Sequence, residues 1–577
     1  MDRSPLFERN IQALSLKDPA LSARIAGERG KDRHYRFIEA RSGKTVPAIV
    51  GSEGRSRPLH STVDPQREAA RLLSGFGKDE AFFVFFGLGG GFHAAAALDR
   101  PETSQVIIVE YGTAGLAELF SALDYSPVLK DSRVSLLLDQ EPAALEDRVL
   151  NSYLPALSGG FRLLPLRART EASPEKFLPA GEAVRRALER LSADYSVQAH
   201  FGSRWFGNIL RNLGQAEEPG PPLPRPRYAA VCAAGPSLDI QIPLLAEDLR
   251  RASPAERPFL IATDTSLPAL LRAGIEPGAV VSIDCQHISR YHFTASGFGG
   301  GGKSAVRVPG ILFLDLASPP SLARFSAAPC FFSGGHPLTN YISRYWRPLL
   351  PVDTSGGNVT HAALSLAEGL GAEEIDLYGA DFSYPLGRSY ARGTYIYPFF
   401  EERQNRRSPL EALHSAFLYR SPLEKRGDPG SGASWYYETA TLKRYRELLE
   451  EKIGFMASRI RPLPGLGAPL RVKQKPGGKP GPARPFFSPA PPRTGAAEFL
   501  AAYRRLVLAL EPSSGKIGLT SAEAGGEGRD KGLVLATLLP LAAALRRREP
   551  ELRPGETLER AKAYALAAID RVLDLRH

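Results

Sequence analysis

Val231 to Leu245 reads VCAAGPSLDIQIPLL, an apolar run that stops on Gly235-Pro236-Ser237-Leu238-Asp239 and passes into a helical pattern. A turn of that kind at a helix mouth presents backbone N–H groups to an anion. Ser237 is placed to cap the helix and to give its hydroxyl to a phosphate oxygen. The plainer reading of the same residues is a turn and an N-cap with no ligand.

Two more apolar runs end on acids. FLIATDT puts Asp264 just past one, and VVSIDCQH puts Ser282, Asp284, Gln286 and His287 at the end of the other. In open α/β sheets ligands sit beyond the carboxyl ends of the strands, so Asp264 and Asp284 are expected to share a site. A third block, 353–395, has Gly356-Gly357 ahead of a helix with Asn358 and Thr360 in its first turn. A strand then ends on Gly379-Ala380-Asp381-Phe382, and a loop follows with Tyr384, Arg388, Tyr390, Arg392 and Tyr395. Arginine matches phosphate with its planar fork. Tyrosine offers a sugar or base both a face and a hydroxyl. The candidate nucleotide- and phosphate-binding set is therefore Gly235, Pro236, Ser237, Leu238, Asp284, Gly356, Gly357, Asn358, Thr360, Tyr390 and Arg392. Asp264 and Asp381 are the acids placed to take a proton. His361, early in its helix, fits packing as well as proton transfer.

Nearer the start, AFFVFFGLGGGFH runs from a strand into Gly87, Gly89 and Gly91, and a second strand ends on Glu110, 19 residues later. Such glycines let the backbone approach a phosphate or adenosyl group, and the acid can accept from ribose hydroxyls. Phe85, Phe86 and Phe92 crowd the same turn and favour packing without a ligand.

These residues need strands to carry them. Strand patterns at 81–87, 105–110 and 133–138 alternate with helical stretches, and so do those at 228–233, 259–262, 279–283, 311–314 and 374–378. Alternation of this kind implies parallel sheets, and continuous apolar strands imply burial on both faces. The expected architecture is α/β: two tandem Rossmann-like domains with mostly parallel sheets, then a Pro/Gly-rich basic linker and a small helical region. The expected pieces are 1–216, a Pro-rich connector 217–227, a central domain 228–460, a basic disordered linker 461–495 and a helical domain 496–577. At 577 residues several cores are required.

The net charge is +11, and seven basic residues between Arg461 and Gly495, with no acid among them, supply much of it. No zinc-finger spacing or RNA-binding aromatic signature accompanies them, so the strip reads as a solubilising linker and nucleic acid is not an expected partner. Three scattered cysteines exclude a disulfide scaffold and a cysteine zinc site. No apolar leader or membrane-length run is present, which makes the cytoplasm the expected location.

GPSLD, then IATDTSLPALLRAGIEPGAVVSID, then GGNVTHAALSLAEGLGAEEIDLYGADFSY together resemble the motility accessory factor family, flagellin glycosyltransferases that contain the 6-hydroxymethylpterin diphosphokinase MptE-like domain. The FGLGGG…VIIVE block is similar to that family's N-terminal Rossmann-like domain. The third block is also similar to bacterial sialyltransferases through Gly235–Leu238, Gly356–Asn358, Gly379–Phe382 and Ser389–Ala391. The resemblance implies transfer of a nonulosonic acid from a cytidine monophosphate (CMP) donor to Ser or Thr hydroxyls of flagellin, with no cofactor or metal. It implies Tyr390 on the donor phosphate and His414, in EALHSAFLYR, as the base. A diphosphokinase would instead use Mg²⁺ and ATP. Its pattern has a Thr-Asp-x-Asp acid pair where this chain has Ser282-Ile283-Asp284. A non-catalytic protein that binds flagellin or a nucleotide is the reading outside enzymes.

Overall fold

A computed structural model describes residues 5–30, 34–51, 55–253, 256–294, 307–327, 329–473, 487, 490–511 and 526–575. The chain forms two compact units, Met1–Gly202 with Leu506–Leu566, and Ser203–Arg505 with Ala567–His577. The segment expected as a separate helical piece, 496–577, is thus divided between them.

The first unit is built on a four-stranded parallel sheet in the order Val134–Leu138, Gln105–Glu110, Glu80–Phe86, Gly160–Pro165. Ala81 to Phe86 are all buried, which explains the unbroken apolar run: helices cover both faces of the sheet. An antiparallel ribbon of Tyr35–Glu39, Thr45–Val50 and Ser56–Pro58 precedes the sheet. It was not anticipated, because its exposed and buried residues mix within short strands.

The second unit holds an eight-stranded parallel sheet. Its order is Leu350–Pro351, Pro329–Ser333, Ile311–Asp315, Ala279–Ser282, Phe259–Thr263, Tyr228–Cys232, Glu374–Tyr378, Arg459–Pro462. Both sheets match the expected Rossmann-like α/β class. The direction of winding reverses between Tyr228–Cys232 and Glu374–Tyr378, which makes that crevice the topological switch point.

Arg461 does not begin a disordered linker. Arg459–Pro462 pairs in parallel with Glu374–Leu377, and the Arg461 Nε donates to the buried Asp376 carboxylate at 2.6 Å. A buried acid in mid-strand requires such a partner. Leu463 to Lys473 is also described, whereas 474–486 lies outside the described residues.

Residues 203–216 of the long helix Pro174–Ala216 belong to the second unit. There Asn208 and Asn212, one turn apart, donate to the carbonyls of Ala317, Leu316 and Ser318, each at 2.8 Å. These bonds fix the loop that leaves the Ile311–Asp315 strand.

Candidate functional site

The Gly235-Pro236-Ser237 turn does hold an anion, and the anion is the chain's own Asp381. Ser237 N–H donates to Asp381 Oδ2 at 2.8 Å, and the Ser237 hydroxyl donates to Oδ1. Gly467 N–H is a third donor. Ser237 does not cap its helix through the side chain, because its hydroxyl is engaged with the acid. That oxygen also accepts from Leu466 N–H at 2.6 Å. Gln241 donates to Pro464 O at 2.8 Å and accepts from Gly379 N–H at 2.7 Å. Residues 463–468 therefore close over the switch-point crevice.

Asp381 is consequently a structural anion rather than an open base. Burial pushes its carboxyl above the ordinary range, opposed by the Ser237 and Gly467 donors. Phe382, next in the chain, sits at φ +43°, a left-handed conformation that a non-glycine residue holds only when its surroundings force it. Gly235 has no room for a side chain. A Cβ there would lie 2.3 Å from Asp381 Oδ2 and 2.5 Å from Gly379 O. Gly235→Ala is expected to destabilise the second unit by about 1–3 kcal/mol, read as a lower thermal midpoint for that unit; an unchanged midpoint would show that the crevice is looser than described.

Two other expected residues are also turned inward. His361 is fully buried, its Nε2 3.0 Å from Tyr445 O, and burial brings its pKa down to about 4. Its Nδ1 lies against Gly356, where a Cβ would stand 1.6 Å away. Asn358 is the helix cap, accepting from Thr360 N–H at 3.0 Å and His361 N–H at 3.3 Å. Gly357, at φ +74°, faces the Tyr445 ring. The Gly356-Gly357-Asn358-Thr360 turn is accordingly packed on His361 and Tyr445.

Acid should reveal this burial. A histidine held neutral in the fold binds fewer protons than it does unfolded, so stability is intact above the unfolded pKa near 6.5 and falls as pH drops from there toward 4. His361 alone accounts for roughly 3 kcal/mol across that window. His361→Gln should flatten the fall in the second unit, followed by chemical denaturation at pH 7 and pH 4.5; an equally steep fall in the variant would assign the acid sensitivity elsewhere.

Asp264 and Asp284 do come together. Asp264 is buried and accepts from Ser282 Oγ at 2.7 Å and from Thr265 N–H at 2.7 Å. Asp284 accepts from Gln286 N–H at 2.9 Å. Burial raises the Asp284 carboxyl, and the charge of Asp264 raises it further. His292 faces this pair. It is only 7% exposed, its ring meets Tyr395 edge-on at 4.5 Å, and its Nδ1 is enclosed without a hydrogen-bond partner. Burial lowers its pKa, against the opposing pull of Asp264 and Asp284.

Tyr390 and Tyr395 complete the cluster, with ring centroids 6.2 Å apart. Both hydroxyls are raised by burial and by Asp264, and Arg420 pulls both down. Arg420 stacks over Phe417 at 4.0 Å, and Phe417 lies 6.2 Å from Tyr390. The result is two acids, a neutral histidine, two phenols and a guanidinium at the carboxyl ends of adjacent strands. His292 and Arg420 were not singled out from the sequence. Nothing in HISRYHF or LYRSP marks them; only the fold brings them to the Asp264 strand end.

His414 lies on the helix Leu410–Leu418, none of whose residues is buried. Among the described residues its ring meets Tyr397 at 5.4 Å and Phe400 at 4.8 Å. Both rings belong to the helix Ile396–Glu401, so His414 packs helix against helix. Arg392 is exposed, and its backbone N–H donates to Asp239 at 2.8 Å, while Arg388 pairs with the same carboxylate. Asp239, at the start of the Leu238–Arg251 helix, thereby holds the tyrosine loop in place.

In the first unit the glycine turn is filled from within. Glu110 is 1% exposed and accepts from Leu88 N–H, Tyr111 N–H and Arg169 Nε, each at 2.9 Å. It is therefore closed to a ribose hydroxyl. Gly90 N–H donates to His60 Nε2 at 2.9 Å, and Tyr125 OH donates to Gly89 O at 2.6 Å. A Cβ on Gly89 would lie 2.4 Å from His60 Nε2. Gly87 packs likewise against Arg169. His60, Glu68 and His93 have ligand atoms within 4.8 Å of one another. Because His60 Nε2 accepts from Gly90, however, the proton of the neutral ring falls on Nδ1, the atom turned to Glu68. That tautomer does not suit a metal ligand.

Residues 207–387 match the family model described as 6-hydroxymethylpterin diphosphokinase MptE-like. Two uncharacterized proteins of Treponema pallidum (strain Nichols) are similar to this chain. One is 38% identical over 122 residues, 21% of this chain and 42% of that protein. The other is 31% identical over 176 residues, 30% of this chain and 80% of that protein. This chain thus spans less than half the length of the first. Its fold is similar to the solved structure of the MAf glycosyltransferase from Magnetospirillum magneticum AMB-1, with a TM-score of 0.52 and 14% identity over 99% of this chain and 95% of that one.

Proposed function

The chain belongs to the MptE-like family, and on that footing we propose that it is a glycosyltransferase that moves a sugar from a nucleotide-activated donor to a hydroxyl. The observation that carries this reading is the Asp264–Asp284–His292 cluster under Tyr390, Tyr395 and Arg420 at the strand ends. The fold shared with a glycosyltransferase supports it. In the finer form of the proposal the donor is a CMP-linked nonulosonic acid, and the acceptors are Ser and Thr hydroxyls of flagellin.

His292 takes the acceptor proton as the sugar gains oxocarbenium character. It is neutral at pH 7 because burial lowers its pKa. Asp264 and Asp284 stabilise the imidazolium that forms. Tyr390 and Arg420 offer hydrogen bonds to the departing phosphate, whose charge grows in the transition state. Ser237, which the sequence suggested for that task, is committed to Asp381.

The family description favours a second reading, a diphosphokinase with Mg²⁺ and ATP. That chemistry needs clustered carboxylates. Here Ser282 stands in place of one acid of the pair, and its hydroxyl occupies Asp264 Oδ2. Calorimetric titration separates the two readings. CMP is expected to bind without metal, about tenfold more weakly to Arg420→Ala. Mg²⁺-dependent binding of ATP with none of CMP would establish the diphosphokinase, and binding of neither would leave a non-catalytic protein.

A further inference from the structure

The first unit contains a cavity of about 510 Å³ at the amino ends of its parallel strands, opposite the glycine turn. The long helix Pro174–Ala216 contributes Leu188, Leu191 and Tyr195, and the helix Gly526–Arg548 contributes Arg546. Tyr153 closes another side, its hydroxyl already donating to Gly159 O at 3.0 Å. Arg546 Nη1 is enclosed and has no hydrogen-bond partner.

An enclosed guanidinium N–H with no acceptor is costly, because it has left water and gained nothing. Ordinary packing would surround such a nitrogen with carbonyls, as happens to the buried Arg347, which donates to Ala490 O at 3.0 Å and Glu218 O at 2.8 Å. Arg546 itself lines a space large enough for a small ligand. The apolar walls of Leu188 and Leu191 suit a hydrocarbon or aryl body. Burial raises the Tyr153 and Tyr195 hydroxyls while Arg546 opposes it, so both phenols remain donors at neutral pH and feel the same cation.

We propose that this cavity binds an apolar monocarboxylate, with the carboxylate on Arg546 and Tyr195 and the body against Leu188 and Leu191. The site belongs to the first unit and shares no residue with the strand-end cluster, so it holds whether or not the chain transfers sugars. One lining residue carries the opposite charge: Asp79, which is exposed.

Three eight-carbon probes with different heads test the assignment on the full chain: octanoate, octanol and octylamine, each titrated by calorimetry. Octanoate is expected to saturate one site and to bind Arg546→Met about tenfold more weakly, the loss of one charge-assisted contact. Thermal unfolding of the unliganded Arg546→Met protein should be unchanged or higher, since no internal partner is lost. A clear drop in its midpoint would give Arg546 a structural role and overturn the proposal. So would equal binding of octanol, preferential binding of octylamine, or octanoate affinity unaltered by the substitution.

Discussion

Replacing His292 with asparagine lowers the rate of sugar transfer about 10²–10⁴-fold, the usual contribution of a positioned general base, while CMP affinity changes by no more than about twofold. Asparagine keeps the bulk and polarity of the ring but cannot take a proton at neutral pH. The pH dependence adds a second readout. Burial lowers the His292 pKa, so the free base persists below the ordinary histidine range. The wild-type kcat/KM is therefore flat above about pH 6.5 and falls only at lower pH. In His292→Asn that acid limb disappears and the residual rate is flat. A variant with near-normal turnover would remove His292 from the chemistry. His414→Asn, made beside it, should keep most of the activity, since that ring packs on Tyr397 and Phe400.

The route by which these residues meet explains what could be read in advance. The strands were legible because a sheet covered on both faces selects continuous apolar runs, and Tyr228–Cys232, Phe259–Thr263 and Glu374–Tyr378 lie where those runs lie. Asp264 and Asp284 were legible for the same reason, as polar residues that interrupt the apolar pattern at strand ends. Ser237 and Asp381 were each noticed, yet not as partners. They are 144 residues apart, and no local pattern tells a turn that will bind a phosphate from one that will bind its own chain's carboxylate. His292 was missed because it sits in a four-residue helix, Tyr291–Thr294, too short to show periodicity. The cover over the crevice, 463–468, reads LPGLGA, which in composition is the signature of a linker. Its glycines instead permit close approach, as at Gly467, where a Cβ would lie 2.5 Å from Asp381.

The same substitution of internal groups for a ligand governs the first unit, and there the consequence is measurable as stability. Arg169→Met is expected to cost about 3–5 kcal/mol. The Arg169–Glu110 pair is 2.9 Å long and nearly sealed, at 6% and 1% side-chain exposure. Removing the guanidinium leaves a carboxylate enclosed with only the Leu88 and Tyr111 N–H groups. Arg169 Nη2 also holds Tyr111 O at 2.6 Å, so the end of the Gln105–Glu110 strand loosens with it. Converting the acid as well, in Glu110→Gln with Arg169→Met, should restore part of the loss, because the orphaned charge is then gone. The coupling energy of that double-mutant cycle, from thermal or chemical unfolding, tests the assignment. A single variant that loses less than about 1 kcal/mol, with no coupling, would mean that the pair does not hold the turn. In that case Glu110 would again be free to receive a ribose, and the glycine turn would regain its standing as a nucleotide site. A loss of the expected size with strong coupling means that the fold has completed this turn from its own side chains, leaving the chemistry to the second unit.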